Sequence, residues 1–514
     1  MTKENKSENK IKENNEMSEK QFTVEDLATF CKKKGFVYQN SEIYGGFGGF
    51  WDYGHLGVEL NNNIKQEYWR RFVHAREDVV GIDGTIIANP MVWKASGHVD
   101  CFSDILLECS KCHEKVRGDY LIEQSLKISA DGMKIDEINE KVKENNIACP
   151  KCAGQLMPGK QFNLMFSTNV GPVQTDNSTT YLRPETAQLI FTNFKLVSES
   201  ARMKLPFGIC QIGKAFRNEI SPRDFLFRVR EFEQMEIEYF VHPAELNHCS
   251  HINDVKHMKV NLISEEMQKK SEPHIEITIG HMLDKKMLCQ WHAYWLAEVY
   301  QWFLDMGIKK ENLRLREHLK DELAHYASAC FDIEYKFPLG WKEIHGSANR
   351  LTFDLTQHAK FSGKDLSYFD QATNARVVPA VIEPSQGVGR AFLAFMFDAY
   401  NDDKERGNVV LKLHPRLAPI KIGIFPLVSN KEDLMAKARK VFDMLRKDFY
   451  CTFDRSGSIG RRYARADEQG IPFCVTVDFD SLENNDVTIR SRDTTEQIRV
   501  KIDELPTKLR KMLY

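Results

Sequence analysis

The segment "AFRNEISPRDFLFRVREFEQMEIEYF", Ala215 to Phe240, interleaves arginines, carboxylates and aromatic rings at a density unusual for a strand. Side chains alternate across a β-strand, so residues two apart share a face. In the second half, Phe232, Gln234, Glu236 and Glu238 point one way, while Met235, Ile237, Tyr239 and Val241 point the other. The second face is apolar and predicts a core beneath it. In the first half, Ala215, Arg217 and Glu219 share a face, and "SPRD" between the arms supplies turn-forming residues. The expectation is an antiparallel hairpin, apolar below and charged above. A solvated hairpin with cross-strand ion pairs is the plain alternative. It needs neither Phe232 among the charges nor so many acids. Arginine for phosphate, carboxylate for an amine and a ring for a base fit a nucleotide site better.

Working outward, the 514 residues allow two to four domains and a large core. Hydrophobic residues at 42% and charged residues at 28% are those of an ordinary globular protein. No apolar run approaches the roughly 20 residues of a membrane span. A net charge of -2 and a pI near 6.8 exclude a globally basic nucleic-acid coat, so RNA contact must come from a local patch. Residues 1–20, "MTKENKSENKIKENNEMSEK", are expected to be a disordered tail with neither a secretory h-region nor a transit-peptide composition. Twelve cysteines without such a signal point to reduced thiols or metal, and to the cytoplasm.

Along the chain, "TVEDLATFCKKKGF" reads as a helix capped by Thr23, and residues 57–75 as a long amphipathic helix. The region of about 106–160 looks like an insertion, because its charged helix "IDEINEKVKENN" interrupts an apolar, aromatic stretch. Strand-like runs up to about Asp402 predict a mixed, mainly antiparallel sheet, giving an α+β domain over 21–415. After the prolines of "KLHPRLAPI", alternating strands and helices over 418–514 predict a small α/β domain. In that domain, "TTEQIRVKIDELPTKLRKML" reads as a helix opened by a Thr494/Gln497 capping box.

A second charged constellation lies in "VVPAVIEPSQGVGRAFLAFMFDAY". A strand ends at Glu383 and Ser385 on one face, Gly387 and Gly389 permit a close turn, and Arg390 falls in the first turn of a helix beginning near Val388. Helix N-termini favour anions. A plain strand–turn–helix with a capping arginine accounts for the same residues. Glu185 in "YLRPETAQ" and Glu343 in "GWKEIHGSANRLTFDL" set carboxylates where strands meet turns.

These residues carry a resemblance. "FRNE…FRVREFEQMEIE" looks like the second signature motif of class II aminoacyl-tRNA synthetases and "GVGR" like the third. The long helix and strand leading to Pro90 resemble the first, which forms the dimer interface. "GGFGGFWDYG", "ASGHV", "RPETAQ", "FRNEISPR", "EFEQMEIEYF" and "EPSQGVGR" together are close to the dimeric glycyl-tRNA synthetases. "GSIGRRYARADEQGIPF…VTIRSRDTTEQ" resembles their anticodon-binding domain. The resemblance runs from about Phe22 onward. It implies a homodimer that joins glycine to tRNA(Gly) with ATP and Mg2+. It assigns Arg217 to the ATP α-phosphate and the glycine carboxylate, Glu219 to the adenine amino group, Phe232 to one face of adenine, and Arg228 to the outer phosphates. Arg390 would cover the other face of adenine and reach the γ-phosphate. The implied ATP site also takes in Asn218, Phe227, Val229, Arg230, Glu231, Ile344, Gly387, Val388 and Gly389. Glu343, with Glu383 as the alternative, would hold magnesium. Around glycine it implies Glu185, Glu236, Glu383 and Ser385 at the ammonium and Arg117 near the carboxylate. Phe232, Glu233, Gln234, Met235 and Gly387 complete that set.

The cysteines form a separate pattern. "CSKC" (Cys109, Cys112) and "CPKC" (Cys149, Cys152) lie 36 residues apart. Paired CxxC knuckles fill the four positions of a structural zinc; two reduced pairs in a degenerate knuckle are the alternative. Two rival functions stand beside the ligase. One is a synthetase-like nucleic-acid-binding subunit without catalysis, and the other is a ligase for threonine, proline or histidine.

Overall fold

The computed structural model describes residues 22–514 apart from 129, 131–132, 174–177, 321, 323–327 and 372. The disorder expected of residues 1–20 falls outside the described residues. The first helix, α1 (Val24–Lys34), opens as its sequence predicts: Thr23 Oγ1 accepts from Asp26 N at 3.1 Å, and the Asp26 carboxylate accepts from Thr23 N at 3.1 Å. The long helix α2 (His55–Trp69), continued by a π-turn over Arg70–His74, buries Leu56, Leu60, Ile64 and Tyr68, one per turn. It leads into strand β1 (Val79–Ile82).

Next come β2 (Ser103–Glu108), β3 (Lys115–Arg117), α3 (Gly118–Leu126), α4 (Ile135–Glu144) and β4 (Lys160–Asn163). The three strands pair in the order β3-β2-β4. They enclose an apolar cluster of their own, with Leu107, Leu121, Ile122, Ile138 and Leu156 around Cys109 and Cys149. The charged helix foreseen in this segment is α4.

The remaining elements of the large sheet follow in chain order. They are α5 (Ala187–Ser200), β5 (Phe207–Phe216), β6 (Glu231–Val241), β7 (Lys259–Ile263), β8 (Ile275–Thr278), α6 (Gln290–Asp305) and β9 (Leu313–Glu317). Then come β10 (Ala329–Phe337), β11 (Gly340–Leu351), α7 (Phe353–Ser362), β12 (Ala380–Gly387) and α8 (Val388–Ala399). Nine strands pair in the order β8-β7-β9-β10-β11-β12-β6-β5-β1. Only β7·β9 and β1·β5 are parallel, so the sheet is mixed and mainly antiparallel. Met235, Ile237, Tyr239 and Val241 on β6 are each 0% exposed, and Tyr239 lies 5.0 Å from the Trp295 ring of α6. The alternation read from the sequence therefore gives the correct face to the core.

The hairpin itself differs from the expected tight "SPRD" turn. β5 ends at Phe216, paired with Glu231, and residues 217–230 form a long excursion. Arg217 and Glu219 thus lie beyond the strand. The reversal sits at Asp224 and Phe225, both with positive φ (58° and 56°), inside the Arg223–Arg228 bridge. Left-handed backbone is unfavourable for phenylalanine. Burial of Phe225 edge-on against Trp51, 4.8 Å between centroids, offsets that cost.

The chain then forms the hairpin β13 (Tyr400–Asp403) and β14 (Asn408–Leu411), followed by β15 (Ile422–Pro426), α9 (Glu432–Leu445), β16 (Cys451–Phe453) and α10 (Ile459–Glu468). It ends with β17 (Phe473–Val477), β18 (Asp486–Ser491), β19 (Gln497–Lys501) and α11 (Leu505–Leu513). The five strands pair as β16-β15-β17-β18-β19. The predicted helix at Thr494 is a correction: Gln497–Lys501 is an edge strand, with Ile498 opposite Ile489 and Val500 opposite Val487. Its β-branched residues recur every second position, and that period outweighs the cap-like Thr494. The helix begins only at Leu505. Leu413, Leu417, Ile420, Phe425, Ala466 and Ile471 belong to the same apolar cluster as the large sheet, so the core continues across the proline-framed linker.

Candidate active site

Three neighbouring strands carry the site. β6 and β12 pair so that Glu236 stands opposite Ser385 and Gln234 opposite Gly387, and β11 brings Gly346 beside Ser385. Above them opens a cleft of about 200 Å³, lined by Arg217, Glu219, Leu226, Phe227, Arg228, Val229, Phe232, Gln234, Glu343, Ser385, Gln386, Gly387, Gly389 and Arg390. Most of these are residues singled out in the sequence. The Arg217 guanidinium lies 5.3 Å from the Phe232 centroid and 5.4 Å from that of Phe102, and its Nε donates to Pro184 O at 3.1 Å. Arg390, in the first turn of α8, stacks 4.4 Å over the Phe227 ring and pairs with Glu343 Oε2 at 2.8 Å. Burial alone would raise the Glu343 carboxyl, but Arg390 outweighs it and holds the group below its usual range. Arg228 faces Glu219 at 3.5 Å.

Beneath one end of the cleft is a buried acidic cluster. Glu236, 2% exposed, accepts from Thr186 N at 2.9 Å, from Thr186 Oγ1, from Ser385 Oγ at 2.7 Å and from Gln234 Nε2 at 3.0 Å. Glu185 accepts from Gln188 Nε2 at 2.9 Å and faces His98 Nε2 at 3.3 Å. Burial would raise its carboxyl; His98 and Arg350 hold it well below the usual range instead. Glu383 takes Arg350 Nη1 on both oxygens, at 2.9 and 3.0 Å, while the rest of that guanidinium forks onto Asp354 at 2.8 Å. Burial still pushes Glu383 up to about 8 against Arg350, with Glu236 and Glu185 adding to the rise. Gly213, on β5 opposite Gln234, leaves room for the buried Arg183, whose Nη2 would stand 2.2 Å from a Cβ there. Arg183 ties Lys214 O and Gly84 O together.

Several expected residues lie elsewhere. Met235 and Val388 are core, and Ile344 is buried at the bulge of β11. Glu233 turns to the other face of β6, where Asn61 (2.6 Å) and Lys65 (2.9 Å) of α2 hold it. Glu231 pairs with Lys214 at the rim. Asn218 is engaged through its backbone with Leu164 O, and Arg230 donates to the carbonyls of Glu219 and Gly48. Arg117 forks onto Asp119 and lines the adjoining cleft with Arg228, Glu343 and Arg390. Of the two expected magnesium carboxylates, Glu383 has Arg350 on both oxygens and Glu343 has Arg390 on one. His98, Thr186, Gln188, Arg350 and Asp354 were not anticipated, although "ASGHV", "RPETAQ" and "GSANRLTFDL" contain them.

The four cysteines converge. Cys109 Sγ lies 3.5 Å from Cys152 Sγ and Cys112 Sγ 3.6 Å from Cys149 Sγ, all four within 4.8 Å of one another. Tetrahedral zinc with Zn–S near 2.3 Å asks for about 3.8 Å between sulfurs. Gly154 closes over them, where a Cβ would come within 3.0 Å of Cys109 Sγ and 3.2 Å of Cys152 Sγ. The donor set fits zinc. A second group, His318, Cys330 and Asp332, is an ion-pair network: His318 Nε2 meets Asp332 Oδ2 at 2.8 Å and Arg316 stands 3.7 Å away.

Residues 169–400 match the family described as the tRNA synthetase class II core domain (G, H, P, S and T), and residues 421–512 match the anticodon binding domain. The protein named glycine--tRNA ligase of Clostridium kluyveri is 46% identical over 94% of this chain and 97% of its own length. The chain belongs to the glycine–tRNA ligase family of class II synthetases. Other members so named, from Acetivibrio thermocellus and Caldanaerobacter subterraneus, are each 45% identical, over 94% and 96% of this chain and 97% and 98% of their own. For a glycine–tRNA ligase, the core match spans the hairpin, the acidic cluster and Arg390. Among the described residues no helix is long and apolar enough to cross a membrane.

Proposed function

We infer that the chain is a glycine–tRNA ligase, which activates glycine with ATP and passes the glycyl group to the 3′ end of tRNA(Gly). The observation that carries the reading is the adjacency of the two halves of the site. An arginine- and ring-lined cleft of about 200 Å³ opens beside a buried cluster of carboxylates. In the first step the glycine carboxylate oxygen attacks the α-phosphorus, the bond to the bridging oxygen breaks, and pyrophosphate leaves. In the second, the terminal ribose hydroxyl of the tRNA attacks the glycyl carbonyl and AMP departs. Little covalent work falls to the protein, so positioning and charge neutralisation dominate.

Arg217 takes the α-phosphate and the substrate carboxylate, and Phe232 and Arg390 enclose adenine with Glu219 at its amino group. Arg228 and Arg390 meet the outer phosphates. Arg117, in the adjoining cleft, adds a further cation. Glu343 holds Mg2+, which neutralises phosphate charge when bound. Glu236, Glu383, Glu185 and Ser385 receive the ammonium. The protein acts in the cytoplasm as a homodimer through α2 and β1, and the carboxy-terminal domain reads the anticodon.

Crowding gives selectivity. Ser385 and Glu236 are bonded to each other, and in this reading they close around the glycine α-carbon and its ammonium. A pocket closed on the smallest amino acid can reject all others sterically, whereas a pocket admitting a methyl group could not reject glycine strongly. Alanine is expected to support pyrophosphate exchange about a hundredfold more slowly than glycine, or worse. Comparable exchange with both, accompanied by continued ATP turnover with alanine and tRNA, would show a roomier pocket.

Cys109, Cys112, Cys149 and Cys152 hold one structural zinc, which contributes folding free energy to the β2–β4 segment. Metal analysis of purified protein should find about one equivalent of zinc per chain, lost in Cys149→Ser. Metal-free wild-type protein with an unchanged unfolding midpoint would end this assignment.

A further inference from the structure

Glu238 is the one carboxyl of the acidic cluster with no assigned task. It is 0% exposed, and among the described residues neither oxygen has a hydrogen-bond partner. On β6 it shares a face with Glu236. It lies between the β6–β12 pairs Glu236–Ser385 and Tyr239–Ile382, and the same register continued between them puts it across from Glu383, whose charge acts on it. Directly opposed residues on neighbouring strands have Cβ atoms about 4.5–5.5 Å apart, within reach for one carboxyl to touch the other. Two buried carboxyls so close cannot both ionise. Glu383 has Arg350 on both oxygens, so of the two it is the one that ionises first. Among the described residues Glu238 has no donor.

We propose that Glu238 is a positioning residue that works as a neutral acid, its O–H directed at Glu383 so that the Glu383 carboxylate is oriented and held for the substrate ammonium. The charged and titratable groups around it support this. β6 supplies Glu236, β12 Glu383, β11 Arg350, α7 Asp354 and α2 the buried Tyr68. An ionised Glu238 would add a buried negative charge that neither Arg350, already shared by Asp354 and Glu383, nor a single ammonium could offset. Burial and the Glu383 charge push its carboxyl well above the usual range, in the same direction. The inference rests on the glycine reading of the site and goes beyond it, because it assigns the proton inventory behind the ammonium.

The test compares Glu238→Leu, which keeps the volume and removes the donor, with Glu238→Gln, which keeps a neutral donor. Glycine-dependent ATP–pyrophosphate exchange is followed from about pH 6 to about pH 9. Losing a hydrogen bond to a charged group costs roughly tenfold to a hundredfold in affinity. The leucine variant should raise KM for glycine by that factor with a smaller change in kcat. The glutamine variant should restore KM to within about threefold and reproduce the wild-type pH profile. A glutamine variant as impaired as the leucine variant would overturn the proposal, because the residue would then be serving as an anion. A leucine variant with unaltered KM would also overturn it. Should the leucine variant fail to fold, the pH profile of the glutamine variant decides: coincidence with wild type supports the neutral acid and a displaced profile refutes it. Wild-type protein that shows no glycine-dependent exchange would instead overturn the glycine reading itself.

Discussion

Arg217→Ala is expected to lower glycine-dependent pyrophosphate exchange by about 10²–10³ while leaving the fold intact, since removing a preorganised donor to developing charge costs that much. The residue is prepared for the task. It lies just past the end of β5, its guanidinium held between the rings of Phe232 and Phe102 and anchored by one bond to Pro184 O. Among the described residues it makes no ion pair, whereas Arg390 faces Glu343 and Arg228 faces Glu219. Its charge is therefore available to a phosphate without first breaking a bridge. Because it sits outside the sheet ladder, its loss should leave the unfolding midpoint near that of the wild type. A variant that exchanges pyrophosphate at close to the wild-type rate would refute the assignment.

Arg350→Ala should have the other large effect, here on stability as well as activity. Arg350 is 2% exposed, and its guanidinium is divided between Asp354 and Glu383. Removing one partner of a buried ion pair leaves an uncompensated charge and typically costs about 3–5 kcal/mol. Here two carboxyls would lose their cation together. Glu383, already raised to about 8, would rise further and favour its neutral form, which cannot attract an ammonium. The expected outcome is a clear fall in the denaturation midpoint together with a weaker apparent affinity for glycine, measured on the fraction that folds. Unchanged stability would show that the cluster is more hydrated than its burial indicates. Arg350→Lys should not rescue, because one ammonium cannot fork onto both acids.

The strand alternation of Met235, Ile237, Tyr239 and Val241 was legible because side chains alternate across a strand, and although both faces of β6 are covered, only one of them is apolar throughout. The turn from Ser385 through Gly387 to Arg390 was legible because a strand, a glycine pair and an apolar helix each leave a local mark. The less legible parts depend on distant contacts. Arg350 reads as one more charge in "GSANRLTFDL", and only the pairing of β11 with β12, which sets Ala348 opposite Glu383 and is irregular between Asn349 and Leu351, brings it to Glu383. The motif resemblance groups Glu233 with its neighbours, yet the same alternation that exposes Phe232 to the cleft turns Glu233 toward Lys65. The hairpin turn was expected at "SPRD" because Ser, Pro and Asp favour reversal. Burial of Phe225 moved it two residues onward, a tertiary effect that local composition does not carry. At Thr494 a capping signature competed with the alternation of Ile498 and Val500, and strand pairing prevailed.

The most direct test of the central claim is amino-acid-dependent ATP–pyrophosphate exchange without tRNA, run with glycine, alanine, threonine, proline and histidine on the purified chain. The account predicts rapid exchange with glycine alone, abolished by Arg217→Ala. Exchange driven by threonine, proline or histidine, or by none of the five, would contradict it.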